Sequence, residues 1–171
     1  MSGLTKILRP HPNAKSRVHD LQGRAAPLHR IARNYPRAMW SRMMLRTINR
    51  FPERPWISYD AAATLESFMK EAPRSVLEFG SGNSTLWFAK RASVLHSVEH
   101  NPEWHQKVQN MLSSTKTRAL VVHELHDTVA EYSTFRANSP LLWDIILIDG
   151  IWRLPVAQHH VDRLAPHGIL Y

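Results

Sequence analysis

The fold of this 171-residue chain is decided by the stretch Val76-Leu77-Glu78-Phe79-Gly80-Ser81-Gly82-Asn83-Ser84-Thr85. Its apolar start predicts a short buried strand over residues 75–79, and its two glycines predict a sharp turn into a helix from about Asn83 to Arg91. Glycine suits such a turn because the backbone bends tightly and a ligand can approach where no Cβ stands. We therefore expect a ligand site directly after this first strand.

Strand and helix patterns alternate on both sides of that stretch. Apolar strands without polar alternation, each followed by a helical segment, indicate a parallel sheet covered on both faces. The predicted fold class is α/β, a doubly wound and mostly parallel sheet, in which ligands bind at the carboxyl ends of the strands. The further predicted strands cover residues 94–99, 119–123, 143–149 and a start near 168, and the further helices begin at Ser58, Asn101 and Leu154.

The basic charge of the chain is concentrated at its N-terminus. The sequence holds 22 Lys and Arg against 14 Asp and Glu, and residues 1–54 carry 12 of the bases but only two of the acids. Pro52 and Pro55 interrupt regular secondary structure and mark a boundary. We therefore divide the chain into a basic, partly helical extension over residues 1–54 and a ligand-binding domain over residues 55–171. The composition of this extension is compatible with a solvated segment, with an organelle transit peptide, or with a segment that contacts nucleic acid or an anionic surface.

Several classes of protein are excluded by composition. The chain has no cysteine, so it has no disulfide framework and no thiolate metal site. It has no run of about 18 apolar residues, so no transmembrane helix is predicted, and a cytoplasmic location is expected. We predict no metal site, since His123 and His126 are three residues apart at a strand end, and we place His159 and His160 on a solvated helix face.

Two acids next to the glycine turn favour one ligand chemistry. Glu78 would repel a pyrophosphate but can pair with an ammonium group, while the N–H groups and hydroxyls of residues 80–85 can receive a carboxylate. A dinucleotide-binding turn would carry a third glycine where Thr85 stands. Glu99 ends the next strand, where an acceptor can bond both hydroxyls of a ribose. An amino-acid head group and a ribose together describe S-adenosylmethionine, and an NAD-binding oxidoreductase is the first alternative.

Four segments of the chain resemble the successive motifs of class I S-adenosylmethionine-dependent methyltransferases. They are residues 76–85, 97–104, 144–150 and 163–170. The resemblance implies a Rossmann-like methyltransferase that moves a methyl group to an O or N atom of an acceptor. It covers about residues 55–171 and leaves the basic extension unexplained.

The resemblance also implies roles for particular residues. It places the methionine part of the cofactor against Glu78, Gly80, Ser81, Gly82, Asn83, Ser84 and Thr85, the ribose at Glu99, and the adenine beside His100 and Asp127. Asp149 would lie beside the methyl group or the acceptor, either as a catalytic base or as an orienting acid. Methyl transfer depends mainly on alignment, so a base is not always required.

One departure from the family concerns the end of the sheet. That family's sheet has seven strands, whereas this sequence stops at Tyr171, inside the fifth. We expect a fold that lacks the last two strands, either because the sequence is a fragment or because a partner, such as a second copy, covers the fifth strand. A non-catalytic module that binds RNA or an anionic surface through residues 1–54 is the second alternative.

Overall fold

A computed structural model describes residues 27–29, 32, 36, 55 and 57–171, with only the backbone at Tyr59 and Asp60. Within the basic extension, apolar residues at three- and four-residue steps predict a helix over residues 37–50, and that segment lies outside the described residues. The proposed domain boundary at residue 55 stays a prediction. Of the described residues, 27–29, 32, 36 and 57–67 belong to one compact unit, and residue 55 with residues 68–171 belongs to another. No helix in this described part combines the length and the apolar character that crossing a membrane requires.

Helix α1 (Tyr59–Glu71) begins directly after Ser58. The Ser58 hydroxyl accepts a hydrogen bond from the N–H of Ala61 at 3.2 Å. This bond satisfies one of the N–H groups that have no partner within the first turn of a helix. The helix ends before Pro73, as the sequence predicts.

The larger unit is built on one sheet. Its strands are β1 (Ser75–Phe79), β2 (Val94–Glu99), β3 (Leu120–Leu125), β4 (Trp143–Ile148) and β5 (Leu164–Leu170). Its helices are α2 (Asn83–Ala89), α3 (Pro102–Ser113), α4 (Val129–Thr134) and α5 (Arg153–His160), and a 3₁₀ turn over Val161–Arg163 precedes β5. The strand order is β3-β2-β1-β4-β5 and every pair is parallel. The predicted doubly wound α/β fold is thereby confirmed.

The central strand β1 is buried along its whole length. Leu77 and Phe79 face a core that includes Tyr132, Ile146 and Val156. Since side chains alternate along a strand, Glu78 points to the opposite face of the sheet. The order of the strands reverses between β1 and β4, so the carboxyl ends of these two strands form the switch point where such folds bind ligands, with the end of β2 beside it.

The structure corrects several local predictions. Helix α4 lies in a segment for which no helix was predicted, β3 continues to Leu125, and β5 starts at Leu164 rather than near residue 168. The prediction that His160 lies on a solvated face is wrong, because the ring is fully buried, with its nitrogens 2.9 and 2.8 Å from the carbonyl oxygens of Val156 and Phe135.

A further correction concerns helix α3. Its predicted cap is confirmed, since the Asn101 side chain accepts a hydrogen bond from the N–H of Trp104 at 2.9 Å. The spacing along the helix also predicts an inward face of Trp104, Val108 and Leu112, and this prediction holds for Val108 and Leu112, which are buried. It fails for Trp104, which is 37% exposed and donates its indole N–H to the carbonyl of Ser81 at 2.7 Å. This tryptophan therefore stabilises the glycine turn through a hydrogen bond instead of packing in the core.

Candidate cofactor-binding site

The turn after β1 is held by close backbone contacts. Gly80 has a φ of +94°, and a Cβ built on it would lie 2.7 Å from the Cα of Gly150. The Gly80 N–H donates to the carbonyl of Val98 at 2.9 Å, and the Asp149 N–H donates to the carbonyl of Phe79 at 3.0 Å. These bonds tie together the loops that follow β1, β2 and β4.

Glu78 is a fully buried carboxyl group directly beneath this turn. Its Oε2 accepts hydrogen bonds from the hydroxyls of Thr85 at 2.6 Å and Ser97 at 2.7 Å. Its Oε1 is also buried and has no hydrogen-bond partner among the described residues. Burial raises the pKa of Glu78 to about 7, although the nearby hydroxyls of Ser84, Thr85 and Ser97 oppose the rise. A donor that reached Oε1 would remove the cost of a buried acceptor without a partner.

Thr85 replaces the third glycine of a dinucleotide-binding turn with a hydrogen-bonding link. Its hydroxyl oxygen accepts from the Gly82 N–H at 2.8 Å while donating to Glu78. A Cβ built on Gly82 would meet only the ring of Trp104, at 4.0 Å. Thus one glycine of the turn, Gly80, is packed against backbone, whereas the other, Gly82, has only the side chain of Trp104 beside it.

Glu99 connects the loops after β1 and β2. Its Oε2 accepts from the N–H and the hydroxyl of Ser81 at 3.0 and 3.3 Å, and its Oε1 accepts from the N–H groups of His100 and Asn101, both at 2.9 Å. A carboxylate offers about four lone-pair sites, so these four donors already occupy them. A ribose hydroxyl would therefore have to replace a donor, and the Ser81 hydroxyl makes the longest bond and can rotate away.

Asp149 follows β4 and is half exposed, with 41% of its side chain accessible. Its Oδ1 accepts a hydrogen bond from Arg153 at 3.0 Å, and Arg153 also donates to the carbonyl of Gly150 at 3.1 Å. Burial raises the pKa of Asp149, whereas the charge and hydrogen bond of Arg153 oppose that rise. The carboxylate can accept a hydrogen bond from an incoming group at this edge.

Three aromatic rings, those of His100, Tyr132 and Trp152, pack edge to face and form an aromatic cluster. The centroids are 6.2 Å apart for His100 and Tyr132, 5.9 Å for His100 and Trp152, and 5.5 Å for Tyr132 and Trp152. Trp152 has a φ of +51°, a left-handed conformation that is rare for a bulky residue. The cluster joins the loops after β2 and β4 to α4.

No protein-family model and no curated protein matches the sequence. Solved structures do match it. A methyltransferase-like protein from Silicibacter pomeroyi superposes with a TM-score of 0.52 at 21% identity, over 63% of this chain and 68% of that one. An rRNA methylase from Streptococcus thermophilus superposes with a TM-score of 0.50 at 14% identity, over 68% of this chain and 71% of that one. The chain has the fold of class I methyltransferases. At these identities the likeness concerns the fold.

Part of the site suits the cofactor that the methyltransferase fold implies. The Oε1 of Glu78, which has no hydrogen-bond partner among the described residues, fits an ammonium donor, and Gly82 has no close backbone neighbour that would hinder a ligand beside the turn. Asn83 and Ser84 begin α2 and are half-buried. Asp127 lies exposed after β3, and among the described residues no hydrogen bond links it to the turn. The described residues contain no cluster of three or more His, Asp or Glu side chains placed to hold a metal ion.

Sequence reasoning missed three residues at this site of the methyltransferase fold. Ser97 bonds Glu78, Trp104 bonds the turn, and Tyr132 packs against Gly150. Ser97 could have been found, because it lies opposite Glu78 in the register of β1 and β2. Tyr132 belongs to α4, whose start has a Thr-x-x-Glu capping pattern over residues 128–131.

Proposed function

We propose that the protein binds S-adenosylmethionine and transfers its methyl group to an O or N atom of an acceptor. The observation that carries this proposal is the buried Oε1 of Glu78, which lacks a partner among the described residues and lies beneath the glycine turn of a methyltransferase fold. An ammonium group is the donor that a buried carboxylate prefers, because a charge-assisted hydrogen bond is about twice as strong as a neutral one. The amino-acid part of S-adenosylmethionine carries such a group.

The proposed roles of the other residues follow from their contacts. The N–H groups and hydroxyls of the glycine turn would hold the carboxylate of the amino-acid part. The residues of this turn are Gly80, Ser81, Gly82, Asn83, Ser84 and Thr85. Glu99 would take a ribose hydroxyl in place of the Ser81 hydroxyl. His100 and Asp127 would border the adenine.

When bound, S-adenosylmethionine supplies an electrophilic methyl group on a sulfonium. The contribution of this chain is to hold the reactants in line, which can lower a barrier by about 7–11 kcal/mol without a strong base. Asp149 accepts a hydrogen bond from Arg153 and would accept another from the O–H or N–H of the acceptor. We therefore propose that Asp149 orients the acceptor.

The NAD alternative is weakened by the hydrogen bonds beneath the turn. A pyrophosphate in the turn would face the Glu78 carboxylate, and Thr85 occupies the position where close approach of the helix needs glycine. The alternative of a binding module rests on the 12 Lys and Arg of residues 1–54. It predicts that the full chain binds RNA with an affinity that falls steeply between 50 and 200 mM salt, and an affinity independent of salt would contradict it.

Calorimetric titration of the full chain with S-adenosylhomocysteine, and separately with NAD, tests the proposed function. We expect binding of S-adenosylhomocysteine and none of NAD. Glu78→Gln should weaken that binding about tenfold or more, since a hydrogen bond to a charged group is lost. Glu103→Gln, at an exposed acid of α3, is the matched control and should bind like the wild type. A folded wild type that binds NAD but not S-adenosylhomocysteine would overturn the proposal.

A further inference from the structure

The hydroxyl of Tyr132 is the second buried polar group at this site that lacks a partner among the described residues. Tyr132 is fully buried, and its Oη makes no hydrogen bond to any described residue. Its ring needs no polar partner to stay in place, because it packs edge to face on Phe79 at 5.7 Å and on Trp152 at 5.5 Å. A buried hydroxyl without a partner costs free energy, so its presence calls for an explanation.

The position of this hydroxyl is fixed by Gly150. A Cβ built on Gly150 would lie 2.1 Å from the Tyr132 Oη, so only glycine leaves room for the phenol. Gly150 in turn lies against Gly80, at the carboxyl ends of β4 and β1. The hydroxyl therefore reaches the base of the glycine turn from one face of the sheet, and Glu78 reaches it from the other.

The charges around the hydroxyl favour a cation. Burial raises the pKa of Tyr132, and the carboxylates of Glu99, Glu78 and Asp149 raise it further, while Arg153 acts in the opposite sense. The phenol consequently stays protonated at neutral pH and is not a phenolate base. Because the phenol keeps its proton and Oη has no partner among the described residues, the lone pairs of this oxygen can accept a hydrogen bond from a cationic donor.

We propose that Tyr132 is a cofactor-binding residue whose hydroxyl oxygen accepts a hydrogen bond from the ammonium of the amino-acid head group, beside the bond to Glu78 Oε1. An ammonium has three N–H donors and needs more acceptors than one carboxylate oxygen provides. The Tyr132 Oη and the Glu78 Oε1, which have no partner among the described residues, would supply two of them. This inference rests on the proposed function and names a residue that the glycine-turn motif does not contain.

The test is Tyr132→Phe in the full chain, which removes the hydroxyl and keeps the ring. If the hydroxyl served only structure, its loss would lower the melting temperature. We expect a melting temperature that is unchanged or raised, because a buried polar group without a partner is removed. We also expect the affinity for S-adenosylhomocysteine, measured by calorimetry, to fall about tenfold. Tyr171→Phe, at a tyrosine that is 44% exposed, is the matched control and should change neither quantity.

A second ligand separates a head-group contact from a general loss of binding. 5′-Methylthioadenosine lacks the amino-acid part, so Tyr132→Phe should bind it like the wild type. Equal binding of S-adenosylhomocysteine by Tyr132→Phe and the wild type would overturn the inference, and so would an equal loss for both ligands. If Glu78→Gln weakens binding and Tyr132→Phe does not, the inference fails while the proposed function stands. If the folded wild type does not bind S-adenosylhomocysteine, both fail.

Discussion

Gly80 and Gly150 meet through their backbones, since a Cβ on Gly80 would lie 2.7 Å from both the Cα and the N of Gly150. This contact brings the ends of β1 and β4 closer than any side chain would allow. Gly80 also has a φ of +94°, which L-residues rarely adopt. The first glycine of the turn is therefore required by the fold itself, independently of any ligand.

We accordingly predict that Gly80→Ala destabilises the protein. The strained backbone and the contact with Gly150 together should lower the free energy of unfolding by roughly 3 kcal/mol. Urea unfolding of the full chain measures it. A loss no larger than that of Gly82→Ala would contradict this prediction, because Gly82 has no close backbone neighbour.

Gly82→Ala should weaken ligand binding but leave the stability of the protein nearly unchanged. The new methyl group would touch only the Trp104 ring at 4.0 Å, so the free energy of unfolding should change by less than about 1 kcal/mol. The methyl group would, however, stand where we propose that the ligand approaches, and the affinity for S-adenosylhomocysteine should fall about tenfold. Calorimetry checks this, and unchanged affinity would show that the ligand does not pass beside Gly82.

The stability of the protein should fall as the pH rises through about 7. Burial raises the pKa of Glu78 from 4.5 to about 7, so between these values the folded protein holds a proton that the unfolded chain has released. That proton stabilises the fold below the lower value, and the stabilisation, up to about 3 kcal/mol, is lost as the pH passes the higher one.

Urea unfolding of the wild type and Glu78→Gln at pH 5 and pH 8 measures this effect. The glutamine variant does not ionise, so it should lack this part of the pH dependence, whereas Glu103→Gln should retain it. A difference between the wild type and Glu78→Gln that is the same at both pH values would refute the assignment.

The stacked histidines His105 and His123 predict a second pH effect. Their ring centroids are 4.2 Å apart, and the pKa of His123 is lowered to about 4 by burial and by His105. Between pH 6.5 and 4 the unfolded chain binds a proton that folded His123 does not, so this residue reduces stability as the pH falls. Titration of the His123 ring by NMR checks the pKa. We expect His105→Ala to raise it, and a wild-type ring that titrates near 6.5 would contradict the account.

Those parts of the fold that rest on local patterns could be predicted from the sequence. The apolar run of β4 indicates burial on both faces, and the Asn101-Pro102 pair predicts the start of α3. Helix α4 escaped prediction because six residues give too little apolar periodicity. His160 escaped because its burial depends on Phe79, whose ring centroid is 4.8 Å away but which is distant in the sequence.

The candidate site, like the fold, could be predicted from the sequence only where it depends on local patterns. The ends of β1 and β2 follow from the pattern, so the positions of Glu78 and Glu99 could be predicted. That Glu99 already bonds four donors depends on loop conformation, and that Tyr132 meets Gly150 depends on the packing of α4. Neither contact leaves a signal in the local sequence. The cofactor roles of these residues stay predictions.

The most direct test of the account is the number of protons released when S-adenosylhomocysteine binds. Calorimetric titrations at pH 6.5, in buffers that differ in ionisation enthalpy, give this number. A ligand ammonium on Glu78 must displace the proton that its pKa of about 7 retains. We therefore predict binding with release of a measurable fraction of a proton by the wild type and none by Glu78→Gln. Absence of binding by the folded chain, or binding with no proton released by the wild type, would contradict the account.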